Sequence, residues 1–357
     1  MLALELKQWI GVDARVLDLQ RQAAERSDVI GLAGGLPADD LLPRRELKRA
    51  LETVMPAHGD ALQYSWPEGI SQLRAWIAER LVRRGARVEP DRVIVTAGAQ
   101  QALAIVGAMF RDKAIGVGDA TYPAAIEAFR QAGARVVARG GDVEYAIADV
   151  SNPRGVATVM PASGPVIVDE AYVGLRFDGT QSRPLLADEP ERVWHVGTVS
   201  KTIAPGLRVG WLIAPEAEHE AALAAKQAAD LQTATVSQAV LAHAVEHIDF
   251  ETLLARARAG YRERAEALAD ALRRHAPQIS FVFPEGGFSI WAQTEHTGDE
   301  LALLETALAE GVMFDPGGAF RAEPSPHIAF RLSYSHVAPE RLDEAARRVA
   351  RTLARAR

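Results

Sequence analysis

The chain has 357 residues, 48% apolar and 24% charged, with a net charge of -7 and no cysteine. That length suits one large α/β domain plus a smaller one, and the composition is that of an ordinary globular chain. The acidic balance excludes a basic nucleic-acid footprint; the missing cysteine excludes disulfides, thiolate catalysis and cysteine zinc sites, and suits the cytoplasm.

In chain order, the opening "MLALELKQWIG" carries charges inside its apolar run and does not read as a signal peptide. Uncharged Val93–Phe110 has the length of a membrane span, but its two glutamines and Thr-Ala-Gly turn make it a strand, a turn and a helix. No membrane contact and no metal site are expected. Short apolar runs recur at Val93–Thr96, Ala114–Val117, Arg135–Ala138, Tyr145–Val150, Val166–Asp169, Val193–Thr198 and Val209–Ile213. Such runs, rich in Val and Ile, predict a sheet buried on both faces between helices, the doubly wound α/β layer. Arg139–Glu144 alone separates the third run from the fourth, whereas a parallel crossover takes about a dozen residues. Either one of these runs lies outside the sheet or the link is unusually spare. Beyond about residue 240 the texture changes to an amphipathic helix over Phe250–Arg274, then "ISFVFPEGGFSIWAQ", "GVMFDPGGAF", "HIAFRLSYS" and a last helix from Pro339. That order predicts a smaller α+β domain. The basic pairs Arg83-Arg84 and Arg347-Arg348 have acids nearby and read as solvated helix faces.

Ligands of open α/β sheets bind beyond the carboxyl ends of the strands, so the polar residues just past each run are the candidates. "TAGAQQAL" feeds a glycine turn into a helix whose first N–H groups suit an anion, although such turns are more often plain connections. No G-x-G-x-x-G is present, which excludes the dinucleotide fingerprint. Tyr122, in "GDATYPAA", reads as packing when taken alone, and Asn152, in "SNPRG", reads as turn chemistry. Asp169 follows three buried apolar residues in "PVIVDEAY", a costly place for a carboxylate unless a cation pairs with it. A structural ion pair and a catalytic role explain it equally well. "VGTVSKTIAPGLRVGW" supplies the cation: Lys201 leaves a strand beside Thr198 and Ser200, with Arg208 beyond a Pro-Gly turn. An amine for a Schiff base, an acid for a pyridinium nitrogen, a flat ring and a phosphate cradle together are the set that pyridoxal phosphate demands.

These stretches, with "VIGLAGGLPADDLLP", "LQYSWPEGISQLRAWIAERL", "PEGGFSIW" and "AFRLSYS" in order, make the chain resemble the fold-type-I, class I/II aminotransferases. The resemblance is nearest to the 2-aminoadipate/kynurenine branch, which shares its domain with MocR-type regulators. It implies an α/β architecture with a mostly parallel seven-stranded sheet and a smaller C-terminal domain. The implied division is an N-terminal segment (1–30) packing on the small domain, a large cofactor-binding domain (31–240) and the small domain (241–357). It further implies that Lys201 carries pyridoxal phosphate as a Schiff base and shuttles the proton, and that Asp169 keeps the ring nitrogen protonated. Asn152 and Tyr172 would bond the phenolic oxygen, and Tyr122 would stack on the ring. Ala99, Gln100, Thr198, Ser200 and Arg208 would hold the phosphate, joined by Tyr64 of a second subunit in a homodimer. Arg331 would fork onto the substrate α-carboxylate, Asn152 would also contact the substrate, and Gly34 and Gly35 would line the pocket.

Arg208 and desolvation are expected to push the Lys201 amine toward neutrality near pH 7. Around Val12–Leu19, Leu36 and Leu231–Thr235 the chain is expected to meet the substrate side chain. The sequence departs from the family pattern in its short Tyr122–Asn152 and Asn152–Asp169 connections, and in N-P-R-G where N-P-T-G is common. Transamination is the expected reaction. Decarboxylation, elimination, racemisation and oxidation use the same constellation, and a regulatory module is disfavoured because the chain opens where the catalytic domain does, with no helix-turn-helix ahead of it.

Overall fold

The computed structural model describes residues 14–57, 59–295 and 298–355. Residues 1–13, including the opening stretch and Val12, lie outside the described residues. In chain order the elements are α1 (Ala14–Glu25), β1 (Ile30–Leu32), α2 (Arg44–Ala57), α3 (Ser71–Arg83), β2 (Ile94–Thr96), α4 (Ala99–Met109), β3 (Ala114–Gly116), α5 (Pro123–Gln131), β4 (Arg135–Val137), β5 (Val143–Ile147), β6 (Val166–Asp169), β7 (Val193–Thr198) and β8 (Gly210–Ile213). The rest are α6 (His219–Asp230), α7 (Thr235–His247), α8 (Phe250–His275), β9 (Ser280–Phe281), β10 (Ser289–Gln293), α9 (Glu300–Ala309), β11 (Val312–Pro316), β12 (Ala329–Ser333) and α10 (Pro339–Arg355).

All seven apolar runs form one sheet, in the order β2-β8-β7-β6-β5-β3-β4. Pairing is parallel from β7 through β4, and β8 runs antiparallel to both β7 and β2. Every residue of β2, β6, β7 and β8 is buried, as expected of strands covered on both faces. Because β8 is reversed, the residues entering it stand at the same edge as those leaving β2, β5, β6 and β7. Arg208 thereby joins Lys201, Asp169 and Asn152 at one rim.

The spare link is real, and β5 starts at Val143, two residues earlier than the sequence reading. β3 lies between β4 and β5 and pairs with both, so the link crosses β3. Gly140 turns with φ +71, and at Gly141 a Cβ would come within 2.4 Å of Gly116 N and 2.8 Å of Ala114 O. Glycine at this crossing lets backbone lie on backbone. No helix separates β5 from β6, in line with the short Asn152–Asp169 connection.

A second sheet has the order β1-β11-β12-β10-β9. Its first strand, Ile30–Leu32, comes from the N-terminal part of the chain and pairs parallel with β11. Helix α8 starts where the Asp249 carboxylate accepts the Thr252 N–H, ends in Arg273, Arg274 and His275, and so suits the helix dipole at both ends. It packs on α10, burying Leu268 and Leu272 with Leu342 and Val349. Each such leucine contributes about 1.5–3 kcal/mol by leaving water. Among the described residues no helix is long and apolar enough to cross a membrane.

Candidate active site

The anion cradle starts at Gly98, whose φ of +82 turns the chain from β2 into α4. A Cβ there would come within 2.5 Å of Arg208 Nη2, so glycine also admits the guanidinium. Arg208, itself left-handed at φ 52, donates from Nη2 to Ala97 O at 3.1 Å and from Nη1 to Pro205 O at 3.3 Å. The N–H groups of Ala99 and Gln100, in the first turn of α4, have no helical acceptor. The Gln100 side chain is different: Nε2 donates to Ala124 O at 2.8 Å, and the buried Oε1 can only accept. Gln100 therefore offers an anion its backbone, not its amide. Thr198 donates its hydroxyl to Val209 O at 2.8 Å and accepts from Ser200 N at 3.1 Å, with the two hydroxyls 2.9 Å apart. With its own hydrogen on Val209 O, Thr198 can only accept from the Ser200 hydroxyl, so it fixes Ser200, and the Ser200 hydrogen is the one that can turn to an anion.

Asp169 ends β6 and is buried. Tyr145 OH donates to its Oδ2 and Ala171 N to its Oδ1, both at 2.9 Å. Burial nevertheless pushes the carboxyl up to about 6, against the pull of these bonds and of Lys201. Lys201 Nζ donates to Gly35 O at 3.0 Å and stands 5.8 Å from the Tyr172 ring centroid and 5.6 Å from that of Phe288. Burial, then the charge of Arg331, lowers the amine to about 8; Asp169 opposes this and Arg208 assists. The expected depression is present, but Arg331 outweighs Arg208 in causing it. Tyr172 is buried and its phenol is pushed up, so it stays protonated as a donor. Tyr122 caps α5 ahead of Pro123, and burial, then the Asp169 charge, raises its phenol.

Arg331, on β12, stands directly opposite Asp315 on β11. Its Nε and Nη2 donate to Asp315 Oδ2 at 3.0 and 2.7 Å, and its Nη1 donates to Asn152 Oδ1 at 3.0 Å. Gly34 and Gly35 both need positive φ, +87 and +58, and a Cβ on Gly35 would meet Arg331 Nη1 at 3.4 Å. The rim of the first sheet and the β11–β12 pair of the second therefore meet around the Lys201 amine. Tyr64 does not join this cluster within the chain: it is 82% exposed, beside Trp66 at 73%. Of the positions expected to meet the substrate side chain, Val16 is buried in the core and Leu19 packs against it, whereas Leu36 and Leu231 are exposed. Gln20, on α1, does reach the site, through Asp315.

Sequence reasoning missed Tyr145 and Asp315. Asp315 carried a signal, a carboxylate inside the apolar "GVMFDPGG", of the kind that singled out Asp169. Tyr145 carried none, because an aromatic residue in a strand looks like core.

The sequence profile described as "Aminotransferase class I and II" matches residues 27–140 and 146–349. The chain is 34% identical to the 2-aminoadipate transaminase of Thermus thermophilus, over 92% of this chain and 91% of that one. It is 30% identical to aromatic-amino-acid aminotransferase 1 of Thermococcus litoralis, over 96% and 92%. Among solved structures, the α-aminoadipate aminotransferase of Thermus thermophilus, complexed with N-(5'-phosphopyridoxyl)-L-leucine, superposes with a TM-score of 0.84 at 32% identity, covering 94% of each chain. The donor set fits pyridoxal phosphate: a glycine-opened cradle of N–H groups and Arg208, a buried carboxylate that, among the described residues, has no arginine or lysine within bonding distance, and an amine brought near neutrality. The chain belongs to the class I and II aminotransferases, pyridoxal-phosphate enzymes of fold type I.

Proposed function

We propose that this enzyme moves an amino group between an L-amino acid and a 2-oxo acid, with Lys201 as the amine and proton carrier and Arg331 as the carboxylate fork. The observation that carries this reading is the place of the Lys201 amine, which donates to Gly35 O at 3.0 Å beside the Arg331 fork. Pyridoxal phosphate, when bound, supplies an aldehyde that captures an amine and a protonated ring that draws electrons from Cα. Everything else is done by the chain. A lysine near pH 8 has a substantial neutral fraction at physiological pH, so it can attack as a base and later return a proton. Asp169 is charged above about pH 6 in a dry site and would hold a proton on a ring nitrogen placed against it. Ala99 N, Gln100 N, Ser200 and Arg208 would hold the phosphate, with Thr198 fixing Ser200, and Tyr122 would stack on the ring. With its Oδ1 taken by Arg331, Asn152 has its amide N–H left, and Tyr172 its O–H, for the phenolic oxygen.

The proposal extends to a homodimer in the cytoplasm. Exposed Leu62, Tyr64 and Trp66, joined to the stretch after exposed Leu231 where Ser65 N donates to Gln232 Oε1, supply an apolar surface that a second copy would cover, and Tyr64 would then reach that copy's phosphate. Residues 33–240 would be the cofactor domain and 241–357 the small domain; β1 (Ile30–Leu32) would belong with the small domain because it pairs with β11, which moves the expected boundary from 30 to just past that strand.

The test mixes the yellow purified protein with each amino acid in turn, reading loss of the cofactor's visible band and release of the matching oxo acid. Several amino acids should bleach the band. Lys201→Ala should abolish both signals, cutting turnover by at least about a thousandfold. Retained turnover in that variant contradicts the assignment.

A further inference from the structure

A guanidinium has five N–H groups, and the chain itself already engages three of those on Arg331: Nε and Nη2 with Asp315, and one of Nη1 with Asn152. Phe320 covers one face of the ion, its ring centroid 4.7 Å from Cζ. What remains is one hydrogen on each η nitrogen, and a carboxylate can span such a pair with its two oxygens. Gly35 lies beside these two nitrogens, where a Cβ would be 3.4 and 3.5 Å away.

We propose that Asp315 is a positioning residue for the substrate α-carboxylate: it fills the Nε side of Arg331, so that an incoming carboxylate docks only on the two η nitrogens beside Gly35. This rests on the aminotransferase reading above. The same carboxylate accepts from Gly34 N at 3.1 Å and from Gln20 Nε2 at 3.2 Å. Gly35 O in turn accepts from Lys201 Nζ at 3.0 Å. One side chain therefore sets both the fork that grips the substrate and the turn that touches the amine. A buried ion pair is no guarantee of stability, since apolar residues of equal volume do as well. Here the pairing orients the fork and leaves one end of the guanidinium open.

Asp315→Asn keeps the shape but removes the charge, and it turns an N–H₂ toward donors at Gly34, Gln20 or Arg331. Two donors are compared in the variant: the amino acid turned over fastest in the screen, and the amine left when its α-carboxylate is removed. KM for the amino acid should rise about tenfold, more than kcat falls, and the preference for acid over amine should drop by a similar factor. Binding of propionate, followed by its NMR line width, should weaken in parallel. Equal losses with both donors, or an unchanged or lower KM, would overturn the proposal. Should Asp315→Asn not fold, Gln20→Ala removes one donor to Asp315 and should raise KM about twofold to threefold in the same selective way; no selective change there also overturns it. Wild-type protein that transfers no amino group would instead sink the aminotransferase reading, while propionate binding still judges Asp315.

Discussion

Burial moves Asp169 and Lys201 in opposite directions, from 3.8 up to about 6 and from 10.5 down to about 8. Near neutral pH Asp169 is therefore charged while part of the Lys201 population is neutral, so the amine can take up and return a proton there. The shifts also set the pH dependence of the cofactor-free fold. Between pH 3.8 and about 6 the native Asp169 keeps a proton that the unfolded chain has lost, so its contribution makes stability fall as pH rises through that window. Between about pH 8 and 10.5 the native Lys201 has lost a proton that the unfolded chain keeps, so its contribution makes stability rise. The Tyr145 hydroxyl favours the charged form of Asp169. Tyr145→Phe should therefore move the acid limb of the rate profile up by about one pH unit; an unmoved limb would show that Tyr145 only packs. Lys201 and Asp169 were legible in the sequence because an ionisable group ending an apolar run is costly unless it has work to do. Tyr145 and Asp315 act through neighbours on other strands, and those neighbours exist only once the register sets Tyr145 beside Ile167 and Asp315 opposite Arg331.

The large-sheet strands were readable as elements because strands covered on both faces need continuous apolar runs, and each lies within a few residues of its run. Their order was not readable. Local pattern carries no sign that β3 inserts between β4 and β5, and so the link after Ala138 looked too short. The Gly140-Gly141 pair makes it feasible. Gly141→Ala should cost about 2–3 kcal/mol, because the new Cβ meets backbone that cannot rotate away. A fall in the urea midpoint at constant slope is the expected readout, and an unchanged midpoint would mean that the link has room.

Across the whole molecule, the site is a meeting of two sheets. The first supplies Asp169, Lys201 and Arg208 at its rim; the second supplies Arg331 and Asp315; Gly34 and Gly35, just past β1, bridge them. Motif resemblance placed Arg331 and the glycines, since nothing local distinguishes one strand arginine from another. The long-range closure that ties Gln20 to Asp315 is a property of the fold alone. The measurement that bears most directly on this convergence is borohydride reduction of the purified protein, followed by peptide mass spectrometry. The cofactor's mass should appear on the peptide containing Lys201, and Lys48, Lys113 and Lys226 should stay unlabelled. A label on one of those lysines, or none on Lys201, would contradict the account.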